Sequence, residues 1–214
     1  MEQTENSTKI ILDLCGGTGS WSKPYKDAGY DVRVITLPLY DVTRWREYPE
    51  IIEPLTTTDP NTQIYGIFAA PPCTQFSFAR TTAKTPRDFI GGMRVVKSCL
   101  EIIWAARANN KLAFWALENP QGYLRQFLGK PALSFHPYDY GDHYSKQTDI
   151  WGYFHMPTKH PVVLTADELH RSHQNTRVLP TLPDGYKPSV ENSVQARRAM
   201  TPQGFAQSFF KSNR

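Results

Sequence analysis

The sequence predicts an α/β fold: a mostly parallel sheet with helices on both faces, followed by a small irregular C-terminal lobe. Two observations carry this. Short runs of apolar and β-branched residues alternate with segments of helical spacing, the rhythm of strand–helix–strand units. Each run also stops at a glycine or proline signal that turns the chain back. Lys9–Leu14 is the first such run and ends in a glycine-rich turn. Val32–Leu37 follows the turn signal Ala28-Gly29-Tyr30. Ile64–Ala70 is stopped by Pro71-Pro72, and Leu112–Leu117 by Glu118-Asn119-Pro120. Thr148–Phe154 is a further strand. Between the third and fourth runs, Met93, Val96, Leu100, Ile103 and Trp104 recur at helical spacing within Asp88–Asn109. Met156–Ser189 is rich in Pro, Thr and His without a period, and Pro202–Phe210 resumes an apolar pattern read as a terminal helix.

Composition narrows the function classes. The chain has 214 residues, 40% of them hydrophobic and 21% charged, enough for a core and against wholesale disorder. No apolar run approaches the length of a membrane span, and Met1–Thr8 lacks the apolar stretch of a secretory signal. Cys15, Cys73 and Cys99 are odd in number and widely spaced, which points to a reducing, cytoplasmic home rather than a disulfide framework or a zinc site. The net charge of +4 resides entirely in residues 155–214, which carry eight basic and four acidic side chains. That tilt permits nucleic-acid binding without requiring it. His155, His160, His170 and His173 lack a metal-ligand spacing, and no metal is expected.

Ligands of open α/β sheets bind beyond the carboxyl ends of the strands, so the strand ends carry the functional reading. The first ends in Asp13-Leu14-Cys15-Gly16-Gly17-Thr18-Gly19-Ser20-Trp21, where glycines allow a sharp turn and close approach of a ligand to the backbone. The spacing is neither that of a dinucleotide fingerprint nor that of a phosphate-binding P-loop. The third ends in Pro71-Pro72-Cys73-Thr74-Gln75-Phe76-Ser77: two prolines stiffen the loop and aim the thiol, so Cys73 is a candidate nucleophile. The fourth ends in Glu118-Asn119-Pro120, which puts a candidate proton donor on the same rim if the two strands are neighbours.

The order and content of these three loops resemble the DNA cytosine-5 methyltransferase family, in the manner of short phage-type or mobile-element members. The family's Asp-Leu-Phe-x-Gly-x-Gly is matched by Asp13–Gly19, its Pro-Cys-Gln-x-Phe-Ser by Pro72–Ser77, and its Glu-Asn-Val by Glu118-Asn119-Pro120. Its Asp-Tyr-Gly followed by Gln-x-Arg-x-Arg is matched by Asp139-Tyr140-Gly141 and then Tyr144–Thr148. The resemblance runs from about Lys9 to Phe154, and Arg197–Phe210 is faintly similar to the family's C-terminal motifs. Departures are Thr74 for Gln, Lys146 and Thr148 for the two arginines, and Leu37-Pro38 where an acidic residue for the ribose is expected. The stretch available for target recognition is also short.

The resemblance implies a Rossmann-like methyltransferase fold with a catalytic core over residues 1–154, a reduced target-recognition insert over 155–195 and a returning C-terminal helix over 196–214. It implies transfer of a methyl group from S-adenosylmethionine to carbon 5 of a flipped cytosine in DNA, through a covalent adduct of Cys73 with Glu118 at ring nitrogen 3. The cofactor would lie against Asp13, Cys15, Gly16, Gly17, Thr18, Gly19, Trp21, Leu37, Asp41 and Pro71, with Thr201 and Phe205 closing it from the C-terminal side. The substrate would meet Pro72, Ser77, Arg80, Asn119, Lys146 and Thr148. Lys84, Arg171, Arg177, Arg197 and Arg198 are candidates for the DNA backbone. The same chemistry on a free pyrimidine nucleotide or RNA, a non-catalytic DNA-binding relative, and transfer of a group other than methyl stay open as alternatives.

Overall fold

The computed structural model describes residues 6–57, 59, 62–81, 83–109, 112–171, 179–187 and 193–214. Its centre is a six-stranded sheet made of β1 (Lys9–Leu14), β2 (Asp31–Ile35), β3 (Gln63–Ala69), β4 (Phe114–Pro120), β5 (Leu133–Phe135) and β6 (Thr148–Tyr153). The spatial order is β2-β1-β3-β4-β6-β5. The pairs β1–β2, β1–β3 and β3–β4 are parallel, whereas β6 runs antiparallel to both β4 and β5. This is the mostly parallel sheet that the alternating pattern predicts, in a Rossmann-like strand order.

Period-2 alternation divides the core between two faces. Ile10, Leu12 and Leu14 of β1 point to one side with Ile67, Ala69 and Leu117. They are covered by α2 (Pro49–Thr56), through Ile51 and Leu55, and by α3 (Phe89–Asn109), through Val96, Cys99, Ile102, Ile103 and Ala106. Ile11, Phe68, Phe114 and Ala116 point to the other side. There Tyr25 of α1 (Lys23–Asp27) meets Phe210 of α7 (Gln203–Ser212) at 4.8 Å, in an aromatic layer that also holds Phe205 and Phe209. The chain between is completed by α4 (Leu124–Leu128), α5 (Ala166–Arg171) and α6 (Ser193–Ala199).

The structure revises the expected elements in three places. The fourth strand begins at Phe114 and continues through Glu118-Asn119-Pro120, because β6 supplies Ile150, Asp149 and Thr148 as partners for those residues. A proline at the last strand position leaves no interior donor missing, so it ends the strand without excluding it. The long helix starts at Phe89, with the Asp88 carboxylate accepting the Gly91 N–H at 2.8 Å as a cap. Its buried face is rotated towards Cys99, Ile102 and Ala106, leaving Trp104 53% exposed rather than in the core.

Candidate functional site

Parallel strands all end on one edge, and that edge carries the site. The turn after β1 is strongly bent: Cys15, Gly17 and Gly19 all have positive φ, at 56°, 56° and 69°. The Cys15 N–H donates to Ile35 O at 2.7 Å and the Gly19 N–H to Gly16 O at 2.9 Å, which fixes the turn between β1 and β2. A β-carbon on Gly16 would come within 2.3 Å of the Asp13 carboxyl carbon, so only glycine lets the turn close over that carboxylate.

Asp13 is fully buried. Ser22 Oγ donates to its Oδ2 at 2.5 Å, while Oδ1 has no hydrogen-bond partner among the described residues. Burial pushes the carboxyl up to about 6, against the lowering effect of the Ser22 bonds. Thr18 Oγ1 is likewise buried without a partner among the described residues. Two unmatched polar atoms under a glycine turn are what a bound polar ligand would satisfy. An amino-acid ammonium would match Asp13 in charge, so the residues present fit the amino-acid end of S-adenosylmethionine.

The other residues expected at the cofactor occupy varied places. Cys15 is half-buried and packs against the core beside Cys99, whose thiol is pushed up by the neighbouring Cys15 and by burial. Trp21 is 2% exposed and packs against Phe68 at 4.4 Å, the rings tilted by 31°, so it supports the turn from within the aromatic layer. Leu37 lies past β2 and is 60% exposed. Asp41 caps the 3-10 turn Val42–Glu47, accepting from Thr43 N at 2.9 Å and Thr43 Oγ1 at 2.7 Å; these bonds hold its carboxyl below the usual range. Pro71 is buried past β3, and its carbonyl accepts from Asn119 Nδ2 at 2.8 Å. Thr201 N donates to Ser20 Oγ at 2.9 Å, so the C-terminal segment does reach the glycine turn, whereas Phe205 lies in the aromatic core.

Cys73 opens a short 3-10 turn, Cys73–Gln75, directly after the prolines. Its neighbours are Glu118 and Lys146, joined to each other by an ion pair of 3.3 Å with side chains 14% and 20% exposed. Burial pushes the Cys73 thiol up, Lys146 draws it down, and Glu118 pushes it up again. Lys146 arrives there because β6 is antiparallel: it starts on the edge where β3 and β4 finish.

The loop carrying Cys73 is braced from below. Arg87 donates to Gln75 O and Ser77 O, each at 2.9 Å, and lies over the Tyr123 ring at 5.0 Å. Arg80 spends its guanidinium on Gln75 Oε1 at 3.3 Å and Thr85 Oγ1 at 2.8 Å, holding its own loop together. Ser77 pairs with Gly122 in an isolated bridge, and Tyr123 N donates to Phe76 O at 2.9 Å. Pro72 is exposed beside Cys73. Asn119 is fully buried with Oδ1 unpartnered among the described residues, while Thr148 is 1% exposed and donates from Oγ1 to Lys146 O. The Thr148 side chain is thus buried and tied to the Lys146 backbone. No local pattern in the sequence marks Arg87 as this long-range brace.

Among the basic residues, Arg197 donates to Leu179 O and Pro180 O, both at 2.7 Å, and Arg198 Nε is buried without a partner among the described residues. Lys84 is exposed. His155 is tied to Asn213 through its backbone, and His160 Nε2 is 2.9 Å from Ser208 Oγ. Arg177 and His173, and the side chains of Arg171 and His170, lie outside the described residues. No group of three metal-ligating side chains occurs among the described residues. Nor is any helix there long and apolar enough to cross a membrane.

No family model matches the chain, and no curated protein matches it. Among solved structures, it is similar to a prophage-encoded E. coli protein described as a DNA modification methyltransferase. The identity is 15% and the TM-score 0.44, over 67% of this chain and 46% of that one. The match thus takes in less than half of that protein's length.

Proposed function

We propose that the protein is an S-adenosylmethionine-dependent methyltransferase acting on carbon 5 of cytosine in DNA, with Cys73 as nucleophile. One observation carries the reading: a thiol, a carboxylate and an ammonium from three separate segments share one rim, beside a glycine turn that covers an unmatched buried carboxylate. Asp13, the Gly16–Gly19 turn and Thr18 would hold the amino-acid end of S-adenosylmethionine, with Leu37, Asp41 and Pro71 at the nucleoside end. When bound there, that cofactor supplies an electrophilic methyl group.

The chain's own residues then divide the work on the base. Cys73 Sγ adds to ring carbon 6, and the displaced π electrons make carbon 5 enamine-like. Glu118 holds a proton at nitrogen 3, offsetting the negative charge that develops on the ring. Its engagement there also removes a negative charge that opposes the Cys73 thiolate, leaving Lys146 to draw the thiol down. Binding of the base would therefore help activate the nucleophile. Carbon 5 would then take the methyl group with a thioether as the leaving group, its own proton would pass to water, and Sγ would depart as the C5–C6 double bond re-forms. A base within a duplex is out of reach, so the target nucleotide must leave the stack.

A trapping assay tests this. The protein is incubated with S-adenosylmethionine and a duplex containing 5-fluorocytosine, where fluorine blocks the final proton loss. The expected result is a stable protein–DNA adduct, absent in Cys73→Ala. Cofactor binding without an adduct would reject DNA cytosine as the substrate.

A further inference from the structure

Tyr186 has no role in the motifs read from the sequence, yet it sits over the glycine turn. A β-carbon built on Gly17 would have the Tyr186 phenol oxygen as its nearest neighbour, at 3.7 Å. The residue belongs to the irregular segment 179–187, where Tyr186 N donates to Pro183 O at 3.0 Å to close a turn. Two further contacts hold this part of the chain in place. Arg197 of α6 clamps Leu179 O and Pro180 O, and Thr201, just beyond α6, donates to Ser20 Oγ in the glycine turn itself. Leu179 is buried at the base of the segment.

The glycine turn is thus enclosed from two sides of opposite character. The Asp13 carboxylate lies under Gly16, with Oδ1 unpartnered among the described residues. The Tyr186 phenol, a hydrogen-bond donor, lies over Gly17. An acceptor-only carboxylate and a neutral donor flanking the same two residues suit the two ends of a zwitterion: ammonium towards Asp13, carboxylate towards the phenol. We propose that Tyr186 is a binding residue for the α-carboxylate of the amino-acid end of S-adenosylmethionine, to which it donates from its phenol. This rests on the methyl-donor reading of the glycine turn. It assigns a ligand contact to the irregular segment, outside the sheet that carries the other site residues.

The test compares wild type with Tyr186→Phe, which keeps the ring and removes only the hydroxyl. Dissociation constants are measured by calorimetry for S-adenosylmethionine, S-adenosylhomocysteine and decarboxylated S-adenosylmethionine, with thermal melts confirming that the variant is folded. A hydrogen bond to a charged group at this partly open position corresponds to about a tenfold change in affinity. The expected result is a loss of about tenfold for the two carboxylate-bearing ligands and none for the decarboxylated one. An equal loss for all three, or none for any, overturns the assignment while leaving the methyl-donor reading intact. Failure of wild type to bind S-adenosylmethionine at all overturns both.

Discussion

The field around Cys73 makes a sharp prediction, because two opposite charges act on one thiol. Glu118→Gln removes the negative charge and keeps the shape of the side chain; Lys146→Met removes the positive charge and keeps most of the stem. A unit charge acting over roughly 5 Å at an effective dielectric of about 20 is worth about 3 kcal/mol. The two side chains are 14% and 20% exposed, so solvent takes up part of that. For each charge removed, the expected change is about tenfold in the alkylation rate below the thiol pKa. The signs are opposite. Glu118→Gln lets the Cys73 thiol fall, so it reacts faster at fixed pH; Lys146→Met lets it rise, so it reacts more slowly. The assay is the pH dependence of Cys73 alkylation by iodoacetamide in the ligand-free protein, followed by peptide mass spectrometry. Cys99 is fully buried and serves as an internal control. Methyl transfer should be lost in Glu118→Gln even as the thiol becomes more reactive, which separates nucleophile activation from stabilisation of the base. Shifts of the same sign, or no shift in either variant, would refute the reasoning.

Three other predictions concern stability and the pH response. Asp13 has its carboxyl raised from 3.8 to about 6, so the folded state holds a proton that the unfolded state has released. Its contribution is favourable at low pH and is lost as pH rises through the interval from 3.8 to 6. Asp13→Asn should therefore raise ligand-free stability by about 1–3 kcal/mol at pH 7.5, with the gain shrinking at pH 4.5. Thermal melts at the two pH values check this, and the same variant should lose S-adenosylmethionine binding. Arg125 grips the fully buried Asp149 through both carboxylate oxygens at 2.6 Å. Arg125→Met leaves that charge unpaired and should cost about 3 kcal/mol in urea unfolding. A β-carbon on Gly122 would come within 2.2 Å of Phe76 O, so Gly122→Ala should destabilise by about 1–3 kcal/mol. It should also displace the Cys73 loop, visible as a changed alkylation rate.

Much of the architecture is local and hence legible in the chain. Short apolar runs closed by glycine or proline signals specify β1 and β3, and helical spacing specifies α3, since each depends on neighbours a few residues away. The bent turn after β1 follows from its glycines, and the position of Cys73 follows from the prolines ahead of it. The reversal of β6 is a different matter. Thr148–Tyr153 reads as a strand, but its direction is set by pairing with β4 and β5, which no local pattern encodes. That reversal extends β4 through Glu118 and brings Lys146 onto the rim beside Cys73. Tertiary packing likewise set Cys15 against the core beside Cys99, placed Trp21 in the aromatic layer and left Trp104 in solvent. Tyr186 reached Gly17 across 168 intervening positions, through contacts made by Arg197 and Thr201. The sequence by itself determined which chemical groups stand at the strand ends, because turn geometry is a property of the residues in the turn. The tertiary structure alone decided which of those groups face one another, because a contact between distant segments depends on how the whole sheet is assembled.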